Sequence, residues 1–351
     1  MPVAPYATLD DALEAMSAYG PDLANGLTSH GPMAAEALCA LGRPGAVLPW
    51  VERYRRGMLP RPTARARIVP ERWRDALAHE DRFTDWSASF ADELSEAPWR
   101  VVLDRWVHRL APGICASATH GVIRVGHAVR GLGESESPRR VRELADALAS
   151  WASTYQELPA RTGATAGRMS PRDAITEVSV VPPDLRRFSG TITSSLDALS
   201  EFPPFGPVID LLDVDGDAQA LVLELTDTFA RVYLANTHDV LSAIVFIHGV
   251  TSIAALGHIL PHLTDVTRRA ALRFAWQSSC ALYAAFGSRP EPDGRIVPPG
   301  EDIQELVDRA VAHGDEHAIK FTEACLHQHA RNPSVAYLAA ARHALDVLPR
   351  G

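Results

Sequence analysis

The sequence predicts an all-α protein, one large multi-helix domain spanning residues 1–351, and three observations carry that reading. Apolar residues recur at close to the helical period through most of the chain, in segments closed by proline and glycine. Strand-like alternation is confined to a short run around residues 175–181. A hydrophobic fraction of 46% over 351 residues is enough to bury a large core without staples.

The elements follow in order. TLDDALEAM reads as a short helix opened by a capping box of Thr8 and Asp11. His30 stands at the entrance of the next helix, which Pro32 opens and Gly42 closes. Helical patterns follow at residues 46–56, 70–81, 83–96 and 99–110, with a proline- and arginine-rich connection before the second. In ICASATHGVIRVGHAVRGLG, His120 and His127 share a helix face two turns apart, so a single site can take one directly and leaves the other behind it or as a substrate contact. A helix at residues 137–155 precedes an irregular stretch at about 158–207, read as a lid or surface excursion, with a bare structural linker as the commoner alternative.

DVDGDAQALVLE superficially resembles a calcium loop, but Ala218 stands where that loop needs glycine, so a turn capping the helix Ala218–Asn236 is expected instead. His238-Asp239, a dipeptide of some metal phosphohydrolases, is read as a helix start. Residues 240–260 are apolar enough to raise a membrane question, but His248, His258, Ser242, Thr251 and Ser252 interrupt them, and a buried core helix is expected. A long helix to Phe286, a Pro/Gly-rich connection at 287–300, a helix from Glu301, the segment 313–330 and a last helix at 333–348 complete the chain.

Composition narrows the function classes. The net charge of -9 comes without an acidic tail, and the arginines are scattered, so no nucleic-acid footprint is visible. Cys39, Cys115, Cys280 and Cys325 are far apart and form neither a zinc knuckle nor a disulfide framework. With no secretory signal legible in MPVAPYATLDDALEAM, a cytoplasmic protein is expected, with no membrane or nucleic-acid partner.

One residue stands apart: of 34 basic side chains only Lys320 is lysine. Arginine is permanently charged, whereas a buried lysine can shed its proton and react with carbon dioxide to form an anionic carbamate. In HGDEHAIKFTEACLHQHA, His317 and Lys320 share a face, and a carbamate there would offer a metal one nitrogen and one oxygen from adjacent turns. The bland alternative is a surface lysine. His30, His120, His248 and the His317/Lys320 pair lie in four separated apolar segments rich in small residues, the arrangement by which bundles assemble metal sites.

Together SHGPMAAEAL, ATHGVIRVGHAVR, FIHGVTSIAAL and DEHAIKFTEAC resemble the questin oxidase family in this order along the chain. The resemblance implies oxidative ring opening of anthraquinone-type aromatic polyketides in secondary metabolism, by enzymes similar to non-haem iron oxygenases. It further implies a metal ligand set of His30, His120, His248, His317 and a carboxylated Lys320, with an aromatic small molecule and O2 as partners. An imidazole-rich site with one anionic oxygen ligand favours Fe(II). Five protein ligands leave one octahedral position, so either a ligand detaches during turnover or substrate binds beside the metal. His127 and Arg124 are the candidate catalytic residues, with Trp106 and Tyr233 as further pocket contacts. The alternatives are an NADPH-dependent Baeyer-Villiger oxidase and a non-catalytic helical binding module. A G-x-G-x-x-G nucleotide fingerprint after a strand is absent from the sequence.

Overall fold

The computed structural model describes residues 4–161, 167–188, 190–297, 299–300 and 302–351. The helices are α1 (Leu9–Met16), α2 (Gly31–Ala40), α3 (Pro44–Tyr54), α4 (Phe83–Glu96), α5 (Trp99–Leu110), α6 (His120–Glu134) and α7 (Pro138–Ser153) in the first half. The short α8 (Pro171–Ala174) and α9 (Ile192–Leu196) follow. Then come α10 (Ala218–Asn236), α11 (Val240–Ile259), α12 (Asp265–Phe286), α13 (Ile303–His313), α14 (Glu316–Arg331) and α15 (Val335–Val347). The all-α expectation holds, with one addition. Residues Tyr19–Leu23 and Met58–Pro60 pair as a two-stranded antiparallel ribbon, β1 and β2. Neither strand alternates in sequence, because both are short and Pro21 and Pro60 interrupt them.

Residues 175–181, the run with strand-like alternation, form a 3-10 turn and an extended segment that hydrogen-bonds to α12 through Val181 N–H and the Ala284 carbonyl, 2.8 Å away. PERWRDA is likewise 3-10, kinked at Arg72, rather than α-helical. Thr8 does not cap α1: its hydroxyl donates to the Pro44 carbonyl at 3.2 Å, tying α1 to α3. Asp217 caps α10 by accepting from Gln219 and Ala220, and Asp239 makes a capping box with Ser242 at the start of α11. Both acidic sequences are therefore helix starts, as expected. Glu301, the expected start of a helix, and residues 162–166 and 189 of the excursion lie outside the described residues.

Helix α11 runs through the middle of the molecule, packed by α6, α10, α12 and α14. Its length and apolarity match a membrane span, yet from Val245 to Gly257 every residue is buried against protein, which explains why its sequence is apolar on all sides. Close approach to α6 depends on Gly126. A Cβ there would sit 2.4 Å from the Ala255 carbonyl oxygen, a backbone atom that cannot swing aside. From that crossing, His120 and His248 lie six and seven residues towards the starts of their helices, so the contact brings the two imidazoles level. A smaller apolar cluster under α1, α2 and α3, with Trp50 and Val51, closes on Ile319 of α14 and seats the lysine helix against α2.

Candidate metal centre and cleft

Four helices deliver four histidines to one buried point. His30 precedes the first residue of α2, His120 opens α6, His248 sits mid-way along α11, and His317 lies in the first turn of α14. His120 Nε2 is 2.6 Å from His30 Nε2 and 3.2 Å from His248 Nε2. The His317 ring lies 4.5 Å from that of His30 and 5.9 Å from that of His248, centroid to centroid. Ligand nitrogens of His30, His120 and His317 all fall within 4.8 Å of one another, a spacing that could hold a metal ion.

The tautomers decide what this cluster can do. His248 Nδ1 donates to the Ile244 carbonyl, 2.6 Å away, and His120 Nδ1 donates to the Ser117 carbonyl. A carbonyl only accepts, so each ring carries its proton on Nδ1 and turns a bare Nε2 lone pair towards the other. Two acceptors facing each other at 3.2 Å repel, and a proton on His30 Nε2 can satisfy only one of them. A cation among the three nitrogens satisfies all, and backbone carbonyls orienting metal-binding imidazoles is the usual supporting arrangement. His30 Nδ1 is buried and has no hydrogen-bond partner among the described residues. The donor set therefore fits a metal.

Electrostatics agree. Burial, then the charge of Lys320 and the neighbouring rings, push His30 well below the ordinary imidazole range. Burial and Lys320 push His120 down to about 3 against the opposing Ser117 carbonyl, and burial with His120, His317 and Lys320 pushes His248 well down. These rings are neutral at neutral pH. Lys320 is 2% exposed, and among the described residues the hydrogen-bond contact of its Nζ is the Met33 thioether at 4.0 Å. Burial lowers it to about 8 against the opposing charges of Glu316 and Asp315. A surface lysine is thereby ruled out.

The segment that positions His120 is strained. Ser117, Ala118 and Thr119 have φ of 48°, 53° and 73°, three successive non-glycine residues in the left-handed region. Each such residue costs roughly 1 kcal/mol or more, and the turn they make aims the Ser117 carbonyl at His120 while the Ser117 hydroxyl pairs with Thr28 at 2.6 Å. Nothing in the letters SAT announces this turn, since its usual marker is glycine.

His127 and Arg124, the expected catalytic pair, do not reach this cluster. His127 Nδ1 donates to Glu36 at 2.6 Å, and Arg124 makes a bidentate pair with Glu143 at 2.7 and 2.9 Å. Trp106 packs edge-on against Trp73, Trp86 and Phe90, and Tyr233 packs on Phe321 with its hydroxyl 3.1 Å from His343. None of the four lines the cleft that ends on the histidines. Glu36, a lone acid in the apolar helix GPMAAEALCA, is the residue the sequence reading passed over. It binds Arg130 as well as His127, and Arg130 also pairs with Glu323 and approaches His258 at 3.3 Å. This buried network joins α2, α6, α11 and α14, the same four helices that carry the histidines, one to three turns below them.

A cleft of about 690 Å³ opens onto the cluster, with His30, His120, His248 and His317 in its wall. Ser153, Tyr155 and Gln156 line it together with Leu241, Ile244, Phe188, Ile192, Ser194 and Asp197. The irregular stretch at 158–207 thus contributes a wall of the cleft.

Residues 50–325 match the family model described as questin oxidase-like, and the chain belongs to that family, whose name denotes an oxidase. His120, His248, His317 and Lys320 fall inside the matched span, whereas His30 comes from the segment before it. No curated protein matches the chain.

Proposed function

We propose that this questin oxidase-like chain is a non-haem iron oxygenase acting on a polycyclic phenol or quinone of the anthraquinone type, with oxygen insertion or C–C cleavage as the outcome. The observation that carries the reading is the pair of Nε2 lone pairs of His120 and His248, held face to face at 3.2 Å beside His30. His30, His120, His248 and His317 would hold Fe(II), and Lys320 would add an anionic oxygen as its carbamate. Bound iron would supply the centre at which O2 is activated for attack on an electron-rich ring.

The chain's own residues do the rest. Lys320, lowered to about 8, keeps a usable fraction of neutral amine near pH 7, and its nitrogen bonds to carbon dioxide with loss of a proton. The carbonyls of Ser117 and Ile244 keep the proton of each imidazole on the nitrogen away from the centre. The cleft has the volume of a typical small-molecule site. Phe188, Ile192, Leu241 and Ile244 offer apolar faces to flat rings.

The test is anaerobic reconstitution with Fe(II) in bicarbonate buffer, elemental analysis, and oxygen uptake with 1,8-dihydroxyanthraquinone with and without NADPH. Near-stoichiometric iron in the wild type, lost in His248→Ala, is the expected result, with uptake that does not need NADPH. Protein that binds no transition metal would sink the reading and return the chain to a helical binding module. Uptake strictly dependent on NADPH would favour the Baeyer-Villiger alternative.

A further inference from the structure

The charge of the cleft is one-sided. Four carboxylates line it, those of Asp22, Glu80, Asp197 and Glu316, and among the described residues its lining contains no arginine or lysine. The chain has 33 arginines, yet none lines this cleft among the described residues. None of the four makes an ion pair with a basic side chain among the described residues, and the Asp197 carboxylate meets only the Gln156 amide, at 3.5 Å. Loss of surrounding solvent and the charge of Glu80 push Asp22 above the ordinary carboxylate range, as expected where carboxylates face one another. A second feature is independent of the acids: His30, 3% exposed and part of the cleft wall, has a buried Nδ1 that finds no hydrogen-bond partner among the described residues.

We propose that this cleft selects its substrate by charge, admitting uncharged or cationic polycyclic phenols and rejecting anions such as sulfate esters, carboxylates and nucleotides. The proposal rests on the reading of the cleft as the substrate's path to the histidines, and it names the class that path accepts. The physical cause is the net negative field of four carboxylates gathered around one mouth, which repels an anion before any contact forms. A dinucleotide, with its phosphates, is among the species this mouth turns away.

Two measurements test it. Ser194→Cys places a thiol in the cleft wall, while the four native cysteines are buried and serve as a silent background in the wild type. Modification rates with the cationic trimethylammonium and the anionic sulfonate forms of an ethyl methanethiosulfonate are each divided by the rate with a free thiol. At low ionic strength the cation should be favoured about tenfold, and the preference should shrink in about 0.5 M salt and in a Glu80→Gln/Asp197→Asn background. A ratio of one, or a ratio the two substitutions leave unchanged, overturns the proposal. This readout uses no aromatic ligand, so it stands apart from the functional reading. Equilibrium dialysis of metal-loaded protein then compares neutral 1,8-dihydroxyanthraquinone with anthraquinone-2-sulfonate. The neutral ring should bind about tenfold tighter, and equal binding overturns charge selection. If neither binds, the aromatic substrate class falls, whatever the thiol rates show about the field.

Discussion

Lys320 illustrates why residue identity matters where composition makes it improbable. Arginine shares the charge but keeps its proton under burial and cannot form a carbamate. Lys320→Arg is therefore expected to fold and to lose most bound metal, measured by elemental analysis beside circular dichroism; full occupancy would remove the modified-lysine proposal. Glu36 makes a second residue-scale case. Burial raises its carboxyl, but the Arg130 charge and hydrogen bonds from His127 and Arg130 outweigh that and hold it well below the usual range. A depressed carboxylate stabilises the fold above its unfolded value of about 4.3 and ceases to do so as pH falls through its folded value. Glu36→Gln, which leaves Arg130 partly unpaired, should cost about 3–5 kcal/mol near pH 7. In melting curves across pH the gap between variant and wild type should narrow below about pH 4, and a gap that stays constant into strong acid would contradict the pairing.

At the scale of elements, the site is a consequence of where two helices cross. Helices α6 and α11 approach closely because Gly126 has no side chain to push against Ala255. Gly126→Ala must displace one backbone from the other, at about 1–3 kcal/mol for overpacking. The larger effect should fall on the centre, because the crossing sets the separation of His120 and His248. Metal affinity is expected to drop at least tenfold while helical content is unchanged, read by isothermal titration with Fe(II) or its redox-stable surrogate Zn(II); unchanged affinity would show that the crossing does not set the histidine geometry. The strained turn before α6 acts on the same helix from its other end, fixing the direction of His120.

For the molecule as a whole, the centre joins residues as far apart in sequence as His30 and His317, and the network of Glu36, Arg130 and Glu323 joins the same four helices again. A ligand that binds only the folded state stabilises it by about 2.7 kcal/mol at a hundredfold excess over its dissociation constant. Chelation should thus lower the melting temperature in one transition, and His248→Ala should melt at a temperature indifferent to added metal. Separate transitions, or a variant that still responds, would show that the centre does not span the fold.

The helices, the helix starts at Ala218 and after His238-Asp239, and the convergence of four histidine segments with a lone lysine were legible in the sequence by itself. Period, cap chemistry and residue rarity are local properties, written in neighbouring letters. The ribbon of β1 and β2, the left-handed run at Ser117 to Thr119 and the 3-10 turn at Pro70–Ala76 were not legible, because contacts from distant segments override weak local preference there. The tertiary structure alone decided the partners of His127 and Arg124. Both share the histidine helix and its apolar setting, and the sequence could not say that Glu36 and Glu143, from other helices, would claim them. It also decided the charge of the cleft: Asp22, Glu80, Asp197 and Glu316 are scattered over nearly the whole chain, and their shared field exists only once folding brings them to one mouth.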